Sequence, residues 1–251
     1  MARWMTVLRC VLLALVLWPP AFAWAEDQPP LPVQTRDIDP WEPVNRKIYW
    51  FNDTLDRWLL TPVAKGYKFV MPDMAEQGVS NFIANIYEFN SFYNSLLQGE
   101  FVGAAHASGR FIVNSTLGLL GFIDVASSMG ITPFRADFGQ TLAVWGAPSG
   151  PFVMLPVFGP RNVRSAVGYF TDTYTSIPYF LNDQRWAWGF WTVEVIDYRA
   201  RLLDVEDMVT GDRYIFLRDA YLQRRAAYDA RGEVEDSFSD FEQDTEDWEE
   251  F

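Results

Sequence analysis

Very little of this chain has the residue types that make or break bonds. His106 is the sole histidine, set among Gly103, Ala104, Ala105, Ala107 and Ser108. Paired-histidine and cysteine metal sites are therefore excluded by count. Gly146-Ala147-Pro148-Ser149-Gly150 approaches the G-x-S-x-G nucleophile elbow, but its serine stands one place late. No phosphate-binding loop or dinucleotide fingerprint is present, so the sequence carries no visible energy source. Asp204, Glu206, Asp207 and Asp212 form an acidic cluster without the spacing or terminal glutamate of an EF-hand. Arg199, Arg201, Arg213 and Arg218 lie close by in sequence. The cluster reads either as helix-end ion pairing or as a mixed-charge surface for a zwitterionic or anionic headgroup. On these grounds the protein is not expected to be an enzyme, and neither cofactor nor metal is expected.

The elements that must position these residues are unusually aromatic. Of 251 residues, 17% are Phe, Tyr or Trp, and 49% are hydrophobic. These residues are interleaved with charge, glycine and proline, and beyond the N-terminus no uninterrupted apolar run is long enough to span a bilayer. Either the rings fill an ordinary core or they lie against lipid. The net charge of −13 repels nucleic acid and anionic headgroups, so no nucleic-acid partner is expected.

Residues 1–25 read as a secretory signal peptide. Arg3 and Arg9 precede the apolar run Cys10 to Trp18, and Ala21-Phe22-Ala23 and Ala23-Trp24-Ala25 fit small-x-small cleavage. The single cysteine, Cys10, stands at the start of the apolar run rather than after it, so no lipobox is evident and lipid anchoring is in doubt. Residues 26–38 form a Pro-rich leader and 39–232 the folded domain. Residues 233–251 form an acidic tail with ten acids, no base and four aromatic residues. Such a tail reads as a solvated, disordered segment, with its aromatics available to a partner.

Within the domain, Val44, Ile48, Phe51, Leu55 and Leu59 recur at helical spacing and predict one apolar helix face, with Pro43 in the first turn and Pro62 just beyond the end. Residues 87–98 predict a second helix stopped by Gly99, and 100–116 a third, rich in small residues. From Leu117 to Pro160 glycine breaks the apolar runs into turns or hairpins. Helical spacing returns at Val163–Ile177 and Val193–Leu203. Asp212 is placed to cap a last helix carrying Tyr214, Leu217, Tyr221 and Tyr228, with Gly232 after its end.

In order along the chain stand Asp39-Pro40-Trp41-Glu42-Pro43-Val44-Asn45-Arg46, Ser80-Asn81-Phe82, Leu96-Leu97-Gln98-Gly99, Arg110-Phe111 and Asn114 through Asp124. Phe138-Gly139-Gln140-Thr141-Leu142, Trp145-Gly146, Gly150-Pro151-Phe152, Leu155-Pro156, Leu202-Leu203-Asp204 and Asp219-Ala220-Tyr221 follow. This succession resembles the MlaA/VacJ proteins across roughly Asp39 to Arg231. The resemblance implies a mainly α protein, a ring-like bundle of amphipathic helices lying in the membrane plane around a central channel. It implies residence in the periplasmic leaflet of a Gram-negative outer membrane. The implied function is to withdraw misplaced phospholipid from the outer leaflet and pass it to a soluble periplasmic carrier, maintaining lipid asymmetry, with a trimeric outer-membrane porin as partner. By position, Gly118, Gly121, Phe122 and Asp124 are expected in a mobile hairpin beside the channel. Arg199, Arg201 and Asp204 are expected on the headgroup side. Ser80, Asn81 and Phe82 are expected to start or cap a helix at the membrane rim. A soluble periplasmic scaffold and a lipid-acting hydrolase built on His106 and Ser149 are the competing readings.

Overall fold

A computed structural model describes residues 38–180, 184–203 and 211–230. The signal peptide, nearly all of the leader, the acidic tail, Asp204, Glu206, Asp207 and Gly232 lie outside the described residues.

Helix α1 runs Glu42–Leu55, with Pro43 in its first turn and Glu42 at its positive end. It does not stop before Pro62. The chain widens into a π-helical turn, Asp56–Leu60, and continues as α2, Thr61–Val70. A proline inside a helix has no N–H to donate, and its ring strikes the carbonyl four residues earlier. A widened turn relieves that clash without ending the helix. The Thr61 N–H accordingly bonds to the Asp56 carbonyl, one residue further back than in an α-helix.

Helix α3, Asp73–Leu97, begins well before the predicted segment and is followed closely by α4, Phe101–Thr116, which packs along it. Gly103, Ala104 and Ala107 of α4 are buried. A turn over 117–124 leads to the short α5, Val125–Ser128, and then to α6, Phe138–Val144. A two-stranded antiparallel hairpin follows, β1 Phe152–Leu155 and β2 Gly159–Asn162, in register from Phe152 opposite Asn162 to Leu155 opposite Gly159. Asn162 ends β2 and caps α7, Val163–Thr175, through a reciprocal box with Ser165. The short α8, Ile177–Phe180, α9, Gln184–Leu202, and α10, Arg213–Asp229, complete the described chain. Asp212 caps α10 as predicted, accepting from the Tyr214 and Ile215 N–H groups. Where α7 crosses α6, a Cβ on Gly168 would lie 2.2 Å from the Gly139 nitrogen, so only glycine permits that approach.

The distribution of polarity is inverted relative to a water-soluble domain. The buried apolar cluster is small: Phe152, Met154 and Tyr214, with Ile48, Tyr49, Leu217, Tyr221 and Leu222 against it. Elsewhere the buried apolar residues are Ile83 and alanines, and the larger enclosed side chains are mostly polar. Asn45, Asn85, Glu88, Asn90, Asn94, Ser95, Arg110, Asn114, Thr141 and Asp197 are all buried. Large apolar side chains face outward: Phe69 is 91% exposed, Met74 88% and Trp58 82%. In α1 the apolar face read from the sequence turns outward. Val44, Phe51 and Leu59 are exposed, while Asn45 is buried on the inner side. Among the described residues no helix is long and apolar enough to cross a membrane.

Candidate functional site

The turn over 117–124 is built by local hydrogen bonds. The Gly118 carbonyl accepts from the Gly121 N–H at 3.2 Å and the Ile123 N–H at 2.9 Å. Leu119 and Leu120 both take left-handed backbone, with φ of 51° and 62°. That conformation disfavours residues with a Cβ by roughly 1–2 kcal/mol each. Both leucines are exposed, at 68% and 69%. Gly121 has φ +100°, and a Cβ there would meet the Asn85 side chain at 2.6 Å.

Two α3 residues clasp this turn. The Asn81 amide donates to the Phe122 carbonyl at 3.1 Å, and the Phe82 ring stacks on Phe122 with centroids 5.2 Å apart. Ser80, on the same stretch, donates its hydroxyl to Asp197 of α9 at 2.8 Å. Ser80-Asn81-Phe82 therefore lies inside α3 and does not start or cap it, which corrects the sequence expectation. Serine and asparagine favour helix starts because their side chains bond nearby backbone N–H groups. Here those side chains reach other elements instead.

Beneath the turn sits a buried ion network. Arg110 of α4 donates from Nε to Glu88 at 2.6 Å and from its terminal nitrogens to Asp124 at 3.0 Å, the Ser127 hydroxyl at 2.9 Å and the Ile131 carbonyl at 2.6 Å. Asp124 also accepts from the Asn114 amide at 3.0 Å and from the Ser127 hydroxyl and N–H. Burial alone would raise the Asp124 pKa. The bonds from Ser127, Asn114 and Arg110 outweigh it and hold the carboxyl at about 2. At Glu88 the balance reverses, and burial lifts the carboxyl despite its bond from Arg110. The turn is thus fastened at Phe122 to α3 and at Asp124 to α4.

The cluster of Arg199, Arg201 and Asp204 is divided. Arg199 forks onto Asp56 at 2.7 and 2.9 Å and reaches the Thr61 hydroxyl at 2.8 Å, bracing the π-helical turn. Arg201 pairs with the fully buried Asp197 at 2.9 Å while its side chain stays about half exposed. The structure so brings Arg201 and Ser80 onto one carboxylate and sends Arg199 elsewhere. The Asp212 carboxylate caps α10 and pairs with Arg46 at 2.9 Å. His106 Nδ1 lies 3.2 Å from the Thr132 carbonyl oxygen, and no hydrogen bond joins it to Ser149.

Two further clusters were not foreseen. Asp39 is buried and accepts from the Asn45 amide at 2.8 Å and from the Tyr214 hydroxyl. Asn45 also donates to the Phe152 carbonyl at 3.2 Å and accepts from the Met154 N–H at 2.9 Å. The opening Asp-Pro-Trp-Glu-Pro-Val-Asn-Arg stretch thereby stitches α1 to β1 and α10. The second cluster centres on Asp172 of α7, which accepts from the Tyr93 hydroxyl at 2.6 Å, the Asn94 amide at 2.8 Å and the Phe138 N–H at 2.8 Å. Burial dominates there and lifts the carboxyl to about 6 against the pull of those bonds. Asparagine and aspartate at helical spacing were the available signal for both clusters, and a search for apolar periodicity passes over them.

The model of the MlaA lipoprotein family matches residues 37–228, which spans α1 to α10. The chain belongs to the MlaA lipoprotein family. It is 37% identical over 205 residues to the intermembrane phospholipid transport system lipoprotein MlaA of Escherichia coli (strain K12), covering 78% of this chain and 80% of that protein. It is 31% identical to the Haemophilus influenzae protein of the same name, with 79% and 82% covered. An uncharacterized protein of Rickettsia typhi is 34% identical, with 74% and 76% covered. A solved structure reported under the heading of the structural basis for maintenance of bacterial outer membrane lipid asymmetry superposes with a TM-score of 0.66 at 37% identity, covering 74% of this chain and 96% of the other. Like that MlaA-family structure, this chain is mainly α.

Proposed function

We propose that this protein is a phospholipid transport component of the outer membrane. It takes mislocalised phospholipid from the outer leaflet through an amphipathic path among helices lying in the membrane plane. It then hands the lipid to a soluble periplasmic carrier, alongside a trimeric porin. The names carried by its Escherichia coli and Haemophilus influenzae relatives support this reading. The observation that carries it is the inverted polarity: aromatic and aliphatic side chains outward, amides and charges inward. In-plane helices present such a skin to acyl chains without crossing the bilayer. Each CH₂ drawn into water costs about 0.8 kcal/mol, so extracting a two-chain lipid costs on the order of 20 kcal/mol unless its tails stay covered. A polar interior offers the headgroup a route while the tails keep apolar company. The turn at Gly118–Asp124 flanks that route, with Leu119 and Leu120 exposed above the Arg110 network.

Photo-crosslinking in native outer membranes tests the reading. A benzophenone side chain at position 120 or 201 is expected to label phospholipid well above one on the exposed face of α10. Labelling at background from both positions removes the conduit.

A further inference from the structure

Among the described residues, every arginine that is buried or half-buried holds a carboxylate except one. Arg46, Arg110, Arg164, Arg199, Arg218 and Arg225 each have an acidic partner. Arg161 has none within ion-pair distance. It stands on β2 opposite Val153, half-buried, with its guanidinium carbon 4.1 Å from the centroid of the Tyr169 ring. Its Nε is enclosed and has no hydrogen-bond acceptor. The Nε atoms of Arg164 and Arg225 also lack an acceptor, but their terminal nitrogens hold carboxylates, whereas the Arg161 guanidinium is paired with none, and a half-buried cation in that state is open to an acceptor from outside the chain.

The surroundings narrow the chemistry of that acceptor. Glu194 of α9 is near enough for the Arg161 charge to act on it, yet the two do not pair, and both Glu194 oxygens lie 2.8 Å from the Tyr87 hydroxyl. Beside Arg161 is a cluster of rings. Phe158 lies 5.5 Å from Tyr169, 5.7 Å from Phe170 and 5.9 Å from Trp191, and the exposed Trp188 extends the group. A guanidinium stacked on a ring keeps its fork of N–H groups for a phosphate. A net charge of −13 disfavours polyanions, whereas a phosphodiester brings one negative charge. The rings offer apolar surface to the glycerol and upper acyl chain, and Glu194 offers an acceptor to an ammonium group.

We propose that Arg161, stacked on Tyr169 and bordered by Glu194 and the Phe158–Trp191 rings, binds the phosphate of a glycerophospholipid headgroup, favouring one that carries an amino group. This site rests on the conduit reading and adds to it the residue that grips the headgroup.

The test uses the full chain in nonionic detergent. It is titrated by calorimetry with short-chain phosphatidylethanolamine, phosphatidylglycerol, a diacylglycerol lacking phosphate, and inorganic phosphate. Arg161→Gln is expected to weaken both phospholipids about tenfold, the loss of a charge-assisted hydrogen-bonded contact, and to leave diacylglycerol unchanged. Glu194→Gln is expected to erase the preference for phosphatidylethanolamine. Unchanged phospholipid binding by Arg161→Gln overturns the site. Inorganic phosphate binding as tightly as the lipids also overturns it, in favour of a free-phosphate site. Should Arg161→Gln fail to fold by its melting profile, Arg161→Lys keeps the charge but loses the fork. It is expected to bind about threefold more weakly, and wild-type affinity there is equally fatal. Wild-type protein that binds neither phospholipid defeats the conduit itself, whereas wild-type binding with an indifferent Arg161→Gln defeats this site alone.

Discussion

Replacing Asp124 with asparagine should loosen the 117–124 turn while the helices beneath it stay folded. The Asp124 carboxylate takes bonds from Arg110, Asn114, the Ser127 hydroxyl and the Ser127 N–H. An asparagine retains one acceptor oxygen, but its NH₂ then confronts donors from Arg110 and Ser127. The magnitude follows from the carboxyl being held at about 2 against an ordinary value of 3.8. That difference corresponds to about 2.5 kcal/mol of preference for the ionised form. The side chain is 29% exposed, so solvent screening reduces the figure to about 2 kcal/mol. Local opening should then become about 30-fold more frequent. Hydrogen–deuterium exchange in nonionic detergent at pH 7 reads this directly, with a peptide spanning 117–124 and a control from α10. Exchange of the turn within about twofold of wild type would falsify the claim that Asp124 fastens it. The sign of the pH effect is also fixed. The native pKa is depressed, so the stabilisation is present above the unfolded value near 3.8 and disappears as pH falls through about 2. The difference in turn protection between wild type and Asp124→Asn, corrected for intrinsic exchange, should therefore match at pH 5 and pH 7.

Asn45→Ala removes a buried amide that bonds Asp39, the Phe152 carbonyl and the Met154 N–H. About 2–4 kcal/mol of stability should go with it, read as a fall in the melting midpoint, and an unchanged midpoint refutes the stitching role. Gly121→Ala places a Cβ against Asn85 at φ +100° and should destabilise by about 2 kcal/mol or more, whereas Gly66→Ala in α2, with open space around it, should stabilise by about 0.5–1 kcal/mol. Equal melting shifts for the two would contradict the packing at Gly121. Asp172 has a raised pKa of about 6, so its favourable contribution is complete below about 3.8 and is lost as pH rises through about 6. Between pH 7 and pH 5 the wild type should gain about 1 kcal/mol relative to Asp172→Asn, and parallel pH profiles in urea titrations would reject that account.

The helices were largely legible in the sequence because their periodicity and caps are local. Asp212 and Gly99 mark helix ends that a reader can find without a structure. What the periodicity does not carry is which face turns inward. Val44, Phe51 and Leu59 share a face, and the usual rule puts that face in the core. Here Asn45 and Asn52 bond the β-hairpin, and that requirement rotates the apolar stripe outward. The early part of α3 follows the same logic: Gln77, Gly78, Ser80 and Asn81 form no apolar stripe, because Ser80 bonds Asp197, Asn81 bonds the Phe122 carbonyl, Gln77 bonds Asn81 and Gly78 lies close beside Phe122. Pro62 signalled a helix end that the π-helical turn absorbs. At the candidate site, family position singled out the 117–124 turn, but the Arg110 network that secures it joins α3, α4 and the turn, so spacing along the chain does not reveal it. Arg161 is harder still, since its meaning lies in what does not approach it.

Packing with amides inside and rings outside has a consequence for the journey the chain makes after synthesis. In water its native exterior is adhesive, and two copies that meet there satisfy each other's aromatic surfaces as readily as acyl chains would. Folding early offers no protection, because folding is what assembles the adhesive skin. Covering Trp58, Phe69 and Met74, the most exposed of these side chains, would slow that self-association.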